Sequence, residues 1–249
     1  MELLLLPGLM CDAAVWTPVL PRLEAVARCR VPDYGRATSL PEMAARVLAA
    51  APPAFALAGH SMGGRVALEI VRRAPERIDR LALLDTGFRA LPRDSAGDDE
   101  TAGRRALLAI ARERGVRAMA REWARPMVHP ARRDDEALVG PILDMFARHS
   151  TDDFAAQIDA LLARPDATAV LRSLACPTLV LCGRQDGWAP PSQHEEMAAL
   201  IPGATLAVIE GCGHMAPMER PHELAEAMLA SLGAPLDSDP RAETPAIAT

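Results

Sequence analysis

Six short apolar runs, separated by segments with helical periodicity, constrain the fold of this chain more than any other feature of its sequence. They are ELLLLPG at 2–8, ARCRVPD at 27–33, AFALAG at 54–59, RLALLDTG at 80–87, CPTLVLCG at 176–183 and ATLAVIEG at 204–211. Such alternation is typical of a parallel sheet with helices on both faces. Functional loops of such sheets follow the carboxyl ends of the strands. Residues directly after these runs are therefore the first candidates for chemistry.

Apolar runs typical of strands do not recur between residues 88 and 172, and the periodicity of this segment indicates helices. We therefore predict one α/β core from residues 1–87 and 173–233, interrupted by a helical cap insertion at 88–172. The polar segment LPRDSAGDDETAG at 91–103 is predicted to be a mobile connection into this insertion. Residues 234–249 are rich in proline, alanine and charge without periodicity, so we expect a poorly ordered tail.

Charge and cysteine content argue against several classes of protein. The net charge is -6, and no basic run is interleaved with aromatic residues, so we expect no nucleic-acid partner. The five cysteines are odd in number and form no C-x-x-C pair, which argues against a disulfide framework or a zinc site. The opening has Glu2 where a signal peptide would be basic, and no run reaches the roughly 18 apolar residues of a membrane span. A cytoplasmic protein without a membrane partner is the expectation, and its oligomeric state stays open.

The segment GHSMG places Ser61 between Gly59 and Gly63 at a predicted turn from strand to helix. In the pattern G-x-S-x-G this turn is so sharp that small residues must flank it, and the serine is held in a strained, exposed position. The positive end of the following helix would stabilise negative charge beside the serine. Taken alone, the pattern also fits a glycine-rich turn with an N-capping serine.

Two later loops supply the groups that a serine nucleophile requires, namely a base and an acid that orients the base. Asp186 follows the run that ends at residue 183, and His214 follows the run that ends at 211. Ser61, Asp186 and His214 thus occur in the order serine, acid, histidine, each after a different predicted strand. Asp186 could alternatively cap the helix that begins near Pro190.

These three motifs resemble those of the α/β-hydrolase family, and the resemblance extends from Leu3 to about Leu232. It implies that Ser61 is the nucleophile, His214 the general base and acid, and Asp186 the orienting acid. Asp85 is the alternative acid, because some members of the family carry the acid after that earlier strand.

The resemblance also implies where the oxyanion would bind. Met62 follows the nucleophile and would supply one backbone N–H, and Leu9 in the loop LLPGLMCD would supply the other. Pro7 stands where the family often has histidine. Because the first apolar run leads into this loop, we expect six strands, all parallel, without the two strands that precede the loop in fuller members of the family.

Serine at position 61 argues against epoxide opening and halide displacement, for which relatives carry aspartate at this position. We predict a serine hydrolase that cleaves a carboxylic ester, thioester or lactone of a small, mostly apolar molecule, with no metal or organic cofactor. The same triad could serve lactone or carbon–carbon bond hydrolysis or perhydrolysis, and a ligand-binding receptor on this fold is the alternative outside enzymes. The predicted pocket draws on Trp16, Met62, Trp123, Met127, Phe146, Phe154, Trp188 and Met215.

Overall fold

The computed structural model describes residues 1–233, in which six strands form a single sheet. The strands are β1 (Glu2–Leu6), β2 (Arg28–Arg30), β3 (Phe55–His60), β4 (Ile78–Leu84), β5 (Thr178–Gly183) and β6 (Thr205–Ile209). Their order across the sheet is β2-β1-β3-β4-β5-β6, and every neighbouring pair is parallel. The predicted fold class, an α/β protein with a six-stranded parallel sheet, is confirmed.

Burial along the strands explains why the apolar runs were continuous rather than alternating. Every residue of β3 and of β5 is buried, as expected for inner strands that are covered on both faces. The outer strands β2 and β6 are partly exposed.

Because all neighbouring strands are parallel, the carboxyl ends of β1, β3, β4, β5 and β6 lie along one edge of the sheet, and the loops that follow them meet there.

Two layers of helices cover the sheet. The core helices are α1 (Leu20–Leu23), α2 (Leu40–Ala50), α3 (Met62–Arg73), α9 (Pro191–Leu200), α10 (Ala216–Glu219) and α11 (Pro221–Ser231). In one layer α1 packs against α11, and in the other α2 packs against α3, which also contacts β3. This arrangement agrees with helices on both faces, as the alternation of patterns predicted.

Between β4 and β5 the chain forms no strand, and five helices fill this interval. They are α4 (Ser95–Arg114), α5 (Val116–Ala124), α6 (Glu136–Ala147), α7 (Thr151–Leu162) and α8 (Thr168–Arg172). The first four contact one another in the pairs α4 and α5, α5 and α6, and α4 and α7, whereas α8 packs against α3 and α9 of the core. Short 3-10 helices occur at Ala13–Val15, Pro75–Arg77, Arg125–Met127 and Pro130–Arg132.

The polar segment at 91–103 differs from its prediction. From Ser95 onward it forms the first turns of α4, because the Asp94 side chain caps this helix by accepting a hydrogen bond of 3.0 Å from the Ala96 N–H. Its glycines and acidic residues indicated a mobile connection, but a capped helix tolerates them. The predicted tail at 234–249 lies outside the described residues. Within residues 1–233, no helix combines the length and apolar character that crossing a membrane requires.

Candidate active site

Ser61 lies in the turn between β3 and α3, in a backbone conformation that few residues other than glycine adopt. Its φ is +54° and its ψ is -118°. A Cβ at Gly59 would collide with the backbone of Gly63, and a Cβ at Gly63 would collide with the Leu6 carbonyl group. The packing of the turn therefore requires glycine at both positions, as the pattern G-x-S-x-G predicted.

The structure brings together the serine, histidine and aspartate that the sequence singled out. The Ser61 Oγ lies 2.8 Å from the His214 Nε2, and the His214 Nδ1 lies 2.8 Å from the Asp186 Oδ2. His214 is 5% exposed and Asp186 is 3% exposed, so both interactions are largely shielded from water. Three residues from three different loops thus form one continuous chain of hydrogen bonds.

The second oxygen of Asp186 holds its own loop. The Oδ1 accepts hydrogen bonds from the Trp188 and Ala189 N–H groups at 2.8 and 2.9 Å. Burial alone would raise the pKa of Asp186, but attraction to His214 and these hydrogen bonds outweigh burial and lower the pKa. Asp186 is therefore an ionised carboxylate that faces His214. No side chain caps the amino end of α9, so the alternative role of Asp186 as its cap is not observed.

Asp85, the alternative acid, is oriented differently. Its Oδ1 accepts a hydrogen bond of 2.9 Å from the Gly183 N–H, and its Oδ2 lies 3.9 Å from the His60 Nε2. The residue has no exposed surface and a φ of +45°. Burial, with repulsion from Asp186, holds the pKa of Asp85 well above its usual range. Asp85 therefore lies beneath the site with its carboxyl group on the Gly183 N–H, and the carboxylate bonded to His214 belongs to Asp186.

His60, to which the sequence assigned no chemistry, supports the backbone of His214. Burial and repulsion from His214 lower the pKa of His60 to about 3, so its ring is neutral at physiological pH. The ring Nε2 lies 2.8 Å from the His214 carbonyl oxygen, and a neutral ring with its proton on Nε2 donates to that oxygen. The His60 ring also packs edge-on against Trp16.

Leu9 and Met62, whose N–H groups were expected to bind an oxyanion, line the same cavity as Ser61. Met62 is the first residue of α3, so its N–H has no acceptor within the helix. The loop after β1 lies directly against the nucleophile, because a Cβ at Gly8 would come within 3.2 Å of the Ser61 Cβ.

Two groups that sequence reasoning missed hold the loop of His214. The carboxylate of Glu219 accepts a hydrogen bond of 2.7 Å from the Gly213 N–H and another from the His129 N–H. The His214 N–H donates to the Met127 carbonyl at 2.6 Å. Met127 and His129 follow α5, so the segment between β4 and β5 contributes to the position of the histidine.

A cavity of about 510 Å³ opens above Ser61. It is lined by four of the residues expected in the pocket, Met62, Trp123, Phe154 and Trp188. Met127, Phe146 and Met215 line a smaller adjoining cavity of about 40 Å³, and Trp16 lines neither cavity because it is fully buried in the core.

The apolar residues expected to line the pocket are not its whole lining, because charged and polar side chains form part of the wall. Among them are Arg65, Glu100, Arg104, Arg164 and Gln193. Glu100 and Arg104 are neighbours on α4, whereas Arg65, Arg164 and Gln193 come from other parts of the chain, so no local motif could have grouped all five. Within residues 1–233, no three His, Cys, Asp or Glu side chains are arranged to hold a metal ion.

Residues 3–227 match the family model described as the alpha/beta hydrolase family. The chain belongs to the alpha/beta hydrolase family. The resemblance that the three motifs carried is thereby confirmed, and with it the prediction of an enzyme of this family.

Relatives of this α/β hydrolase include proteins named as esterases. It is 27% identical over 230 residues to a pimeloyl-[acyl-carrier protein] methyl ester esterase of Aliivibrio salmonicida, covering 86% of this chain and 85% of the relative. Among solved structures, a thermophilic esterase from Thermogutta terrifontis with malate bound superposes with a TM-score of 0.83 at 27% identity, covering 94% of this chain and 89% of the other. An enol-lactonase from Burkholderia xenovorans shares the fold with a TM-score of 0.83 at 22% identity, covering 93% and 91%.

Proposed function

We propose that this α/β hydrolase cleaves a carboxylic ester of a small molecule through an acyl-enzyme on Ser61. The observation that carries the proposal is the pair of 2.8 Å contacts that joins Ser61 to His214 and His214 to Asp186 at the wall of the cavity. The esterase names of its relatives support the same reaction class. Each residue of the site then has a distinct chemical role.

In the first half of the reaction, the Ser61 Oγ attacks the ester carbonyl carbon while His214 accepts the hydroxyl proton on Nε2. The ionised Asp186 keeps the His214 proton on Nδ1 and stabilises the imidazolium. The Leu9 and Met62 N–H groups donate to the oxyanion, and one such donor is typically worth about 2.7 to 4 kcal/mol. The intermediate collapses as His214 returns the proton to the leaving alcohol.

In the second half, His214 removes a proton from water, and the resulting hydroxide attacks the acyl carbon. The tetrahedral intermediate then releases the carboxylic acid, and Ser61 regains its proton from His214. The two steps of the reaction require only the triad, the two N–H donors and water. A cavity of about 510 Å³ fits a small molecule, within the roughly 300 to 1,000 Å³ of most ligand sites.

Residues 88–172 serve in this proposal as a cap that shapes the substrate pocket. Side chains of α4, α5 and α7 form the wall opposite the sheet, among them Leu107, Trp123 and Phe154. The Arg148 side chain pairs with Asp12 at 2.7 Å and so ties the insertion to the loop after β1. Exchanging the insertion for a short linker should change the order of preferred esters and should also lower kcat, because Gln157 and Met127 of the insertion hydrogen-bond to the loops that carry Leu9 and His214.

The test of the proposed reaction combines a substrate panel with a probe of the nucleophile. Purified protein is assayed on methyl, ethyl and p-nitrophenyl esters, thioesters and lactones, and is treated with a fluorophosphonate. Hydrolysis of esters together with labelling of Ser61 is expected. Ser61→Ala should abolish both while the protein stays folded, because the small Ser61 side chain is only partly buried and contributes little to packing. Saturable binding without turnover would indicate a receptor, and labelling of another serine would refute the assignment.

A further inference from the structure

Three guanidinium groups meet at the wall of the cavity that contains Ser61. Arg65 lies on α3, Arg104 lies on α4, and Arg164 follows α7. The three residues come from both sides of the cavity, the core and the insertion. Arg164 is buried, whereas Arg65 and Arg104 are partly exposed. Because removing a charged group from water costs free energy unless it is paired, a carboxylate stabilises such cations.

One carboxylate, that of Glu100, forms ion pairs with two of these three cations. The Arg164 guanidinium binds Glu100 through two hydrogen bonds of 2.8 and 2.6 Å, and the Arg104 Nε binds the same carboxylate at 2.9 Å. Burial would raise the pKa of Glu100, but the hydrogen bonds from Arg164 and the attraction of Arg104 lower it. Glu100 is therefore ionised, and a single negative charge faces two positive ones.

Arg65 has no such partner. Within residues 1–233, no carboxylate lies within 4 Å of its guanidinium, although other arginines of the chain form ion pairs. Its Nη1 donates to the Arg89 carbonyl at 2.9 Å, and a guanidinium has five N–H donors. Burial, with repulsion from Arg164, lowers the pKa of Arg65 to about 9, which leaves it charged at pH 7.

The Arg65 guanidinium lies directly against Gly87, where a larger residue would not fit. A Cβ at Gly87 would collide with the Arg65 Nη2 and the Gln193 Nε2, so glycine there allows both side chains to reach the cavity. Asp85 also lines the cavity, but its Oδ1 bonds to the Gly183 N–H instead of to an arginine, and burial raises its pKa well above the usual range, which favours the neutral form. The wall therefore presents three cations against one ionised carboxylate.

We infer that the substrate of the proposed esterase carries a carboxylate, which binds Arg65 while the ester group lies at Ser61. Charge-assisted bonds between a guanidinium and a carboxylate are strong and frequently use two parallel N–H groups. Arg65 lies four residues after Ser61 and both side chains line the same cavity, so the two ends of a short dicarboxylic monoester can reach both. This inference rests on the proposed function and narrows its substrate class.

The test compares two esters that differ in charge and are nearly equal in shape, monomethyl adipate and its carboxamide counterpart, methyl adipamate. We expect the wild type to hydrolyse the carboxylate ester with a kcat/KM at least about tenfold higher. In Arg65→Gln the ratio of the two kcat/KM values should fall towards one. Arg73→Gln is the matched control, because it removes an exposed guanidinium from the same helix, and it should keep the wild-type ratio.

Calorimetric binding of free adipate and adipamide gives a second readout that does not depend on turnover. Adipate should bind about tenfold more tightly than adipamide, and Arg65→Gln should abolish this difference. Hydrolysis of both esters at equal kcat/KM, with equal binding of the two ligands, would overturn the carboxylate inference and leave the esterase proposal standing. Selective adipate binding without any ester hydrolysis would support the carboxylate site and refute the esterase proposal.

Discussion

The Gln157 side chain accepts a hydrogen bond of 2.8 Å from the backbone N–H of Met10, a buried contact between residues 147 positions apart. Met10 has a φ of +59° and directly follows Leu9, the proposed oxyanion donor. Gln157 lies on α7, within the insertion. The insertion therefore fixes the loop after β1 from above, while β1 fixes it from below.

We predict that Gln157→Leu lowers kcat about tenfold and changes KM less, because the Leu9 N–H would no longer be held in position for the oxyanion. Loss of a whole donor typically costs about 10²- to 10³-fold, which sets the upper limit. Steady-state kinetics on a reactive ester measures the effect. Gln157→Glu retains an acceptor and should recover part of kcat.

Asp159→Ala provides the control, since it alters an exposed residue of the same helix and should keep the wild-type kinetics. An equal loss in both variants would show that the helix, not the hydrogen bond to Met10, is responsible. Because an unpaired buried N–H costs about 1 to 3 kcal/mol, Gln157→Leu should also unfold at a lower temperature.

The turn around Ser61 gives a second prediction, about stability. Gly59→Ala places a methyl group against the Gly63 backbone, which no side-chain movement can relieve, so we expect a strongly destabilised or unfolded protein. Gly103→Ala makes the same change inside α4, where no atom outside the helix backbone and the two neighbouring residues lies within 4 Å of the added Cβ. It should stabilise the protein by about 0.5 to 1 kcal/mol. Urea unfolding compares the two, and a tolerated Gly59→Ala would contradict the structure of the turn.

The strands and the three site loops were predictable because their signals are local. An inner parallel strand is a short apolar run, and the residues after its end share one edge of the sheet whatever the helices do. Ser61, Asp186 and His214 could thus be located without knowing how the helices pack. The clash that excludes a larger residue at Gly59 is similarly local, since it arises with the backbone of Gly63, whereas the clash at Gly63 is with Leu6 on another strand.

The charged wall of the cavity was not predictable, because it depends on how distant helices pack. Glu100 and Arg164 are 64 positions apart, and the chain has many arginines and no lysine, so no single arginine stood out. The contact of Glu219 with the loop of His214 was missed because its carboxylate binds backbone N–H groups. Every residue type except proline has such a group, so the sequence does not indicate this partner. The segment at 91–103 was expected to be a mobile connection, but the Asp94 side chain caps the start of α4 within it.

A third prediction separates the two candidate acids by turnover. Asp186→Asn should reduce kcat by about 10⁴, because the amide favours the wrong tautomer of His214. Asp85→Asn should cost tenfold or less, because the Asp85 carboxyl group bonds to the Gly183 N–H instead of to His214. Steady-state kinetics of the two variants, with circular dichroism to verify folding, shows which aspartate orients His214. A larger loss in Asp85→Asn would transfer the role of the acid to the earlier strand.

The last prediction concerns the pH dependence of stability that the buried carboxyl group of Asp85 imposes. Its pKa in the folded protein is raised well above the ordinary value, first by burial and then by Asp186. Below about pH 4, the folded and unfolded states both hold the proton. As the pH rises above 4, the unfolded state releases the proton and the folded state retains it, so the free energy of unfolding decreases.

Asparagine has no such proton and still offers an oxygen to the Gly183 N–H, so Asp85→Asn removes this pH-dependent loss. The difference in melting temperature between the variant and the wild type should therefore increase in favour of the variant between pH 5 and pH 8. Asp79→Asn makes the same substitution at an exposed position of β4, and its difference from the wild type should stay constant over this range. A constant difference for Asp85→Asn as well would mean that the folded protein ionises this group as readily as the unfolded chain, which its complete burial and its proximity to the ionised Asp186 argue against.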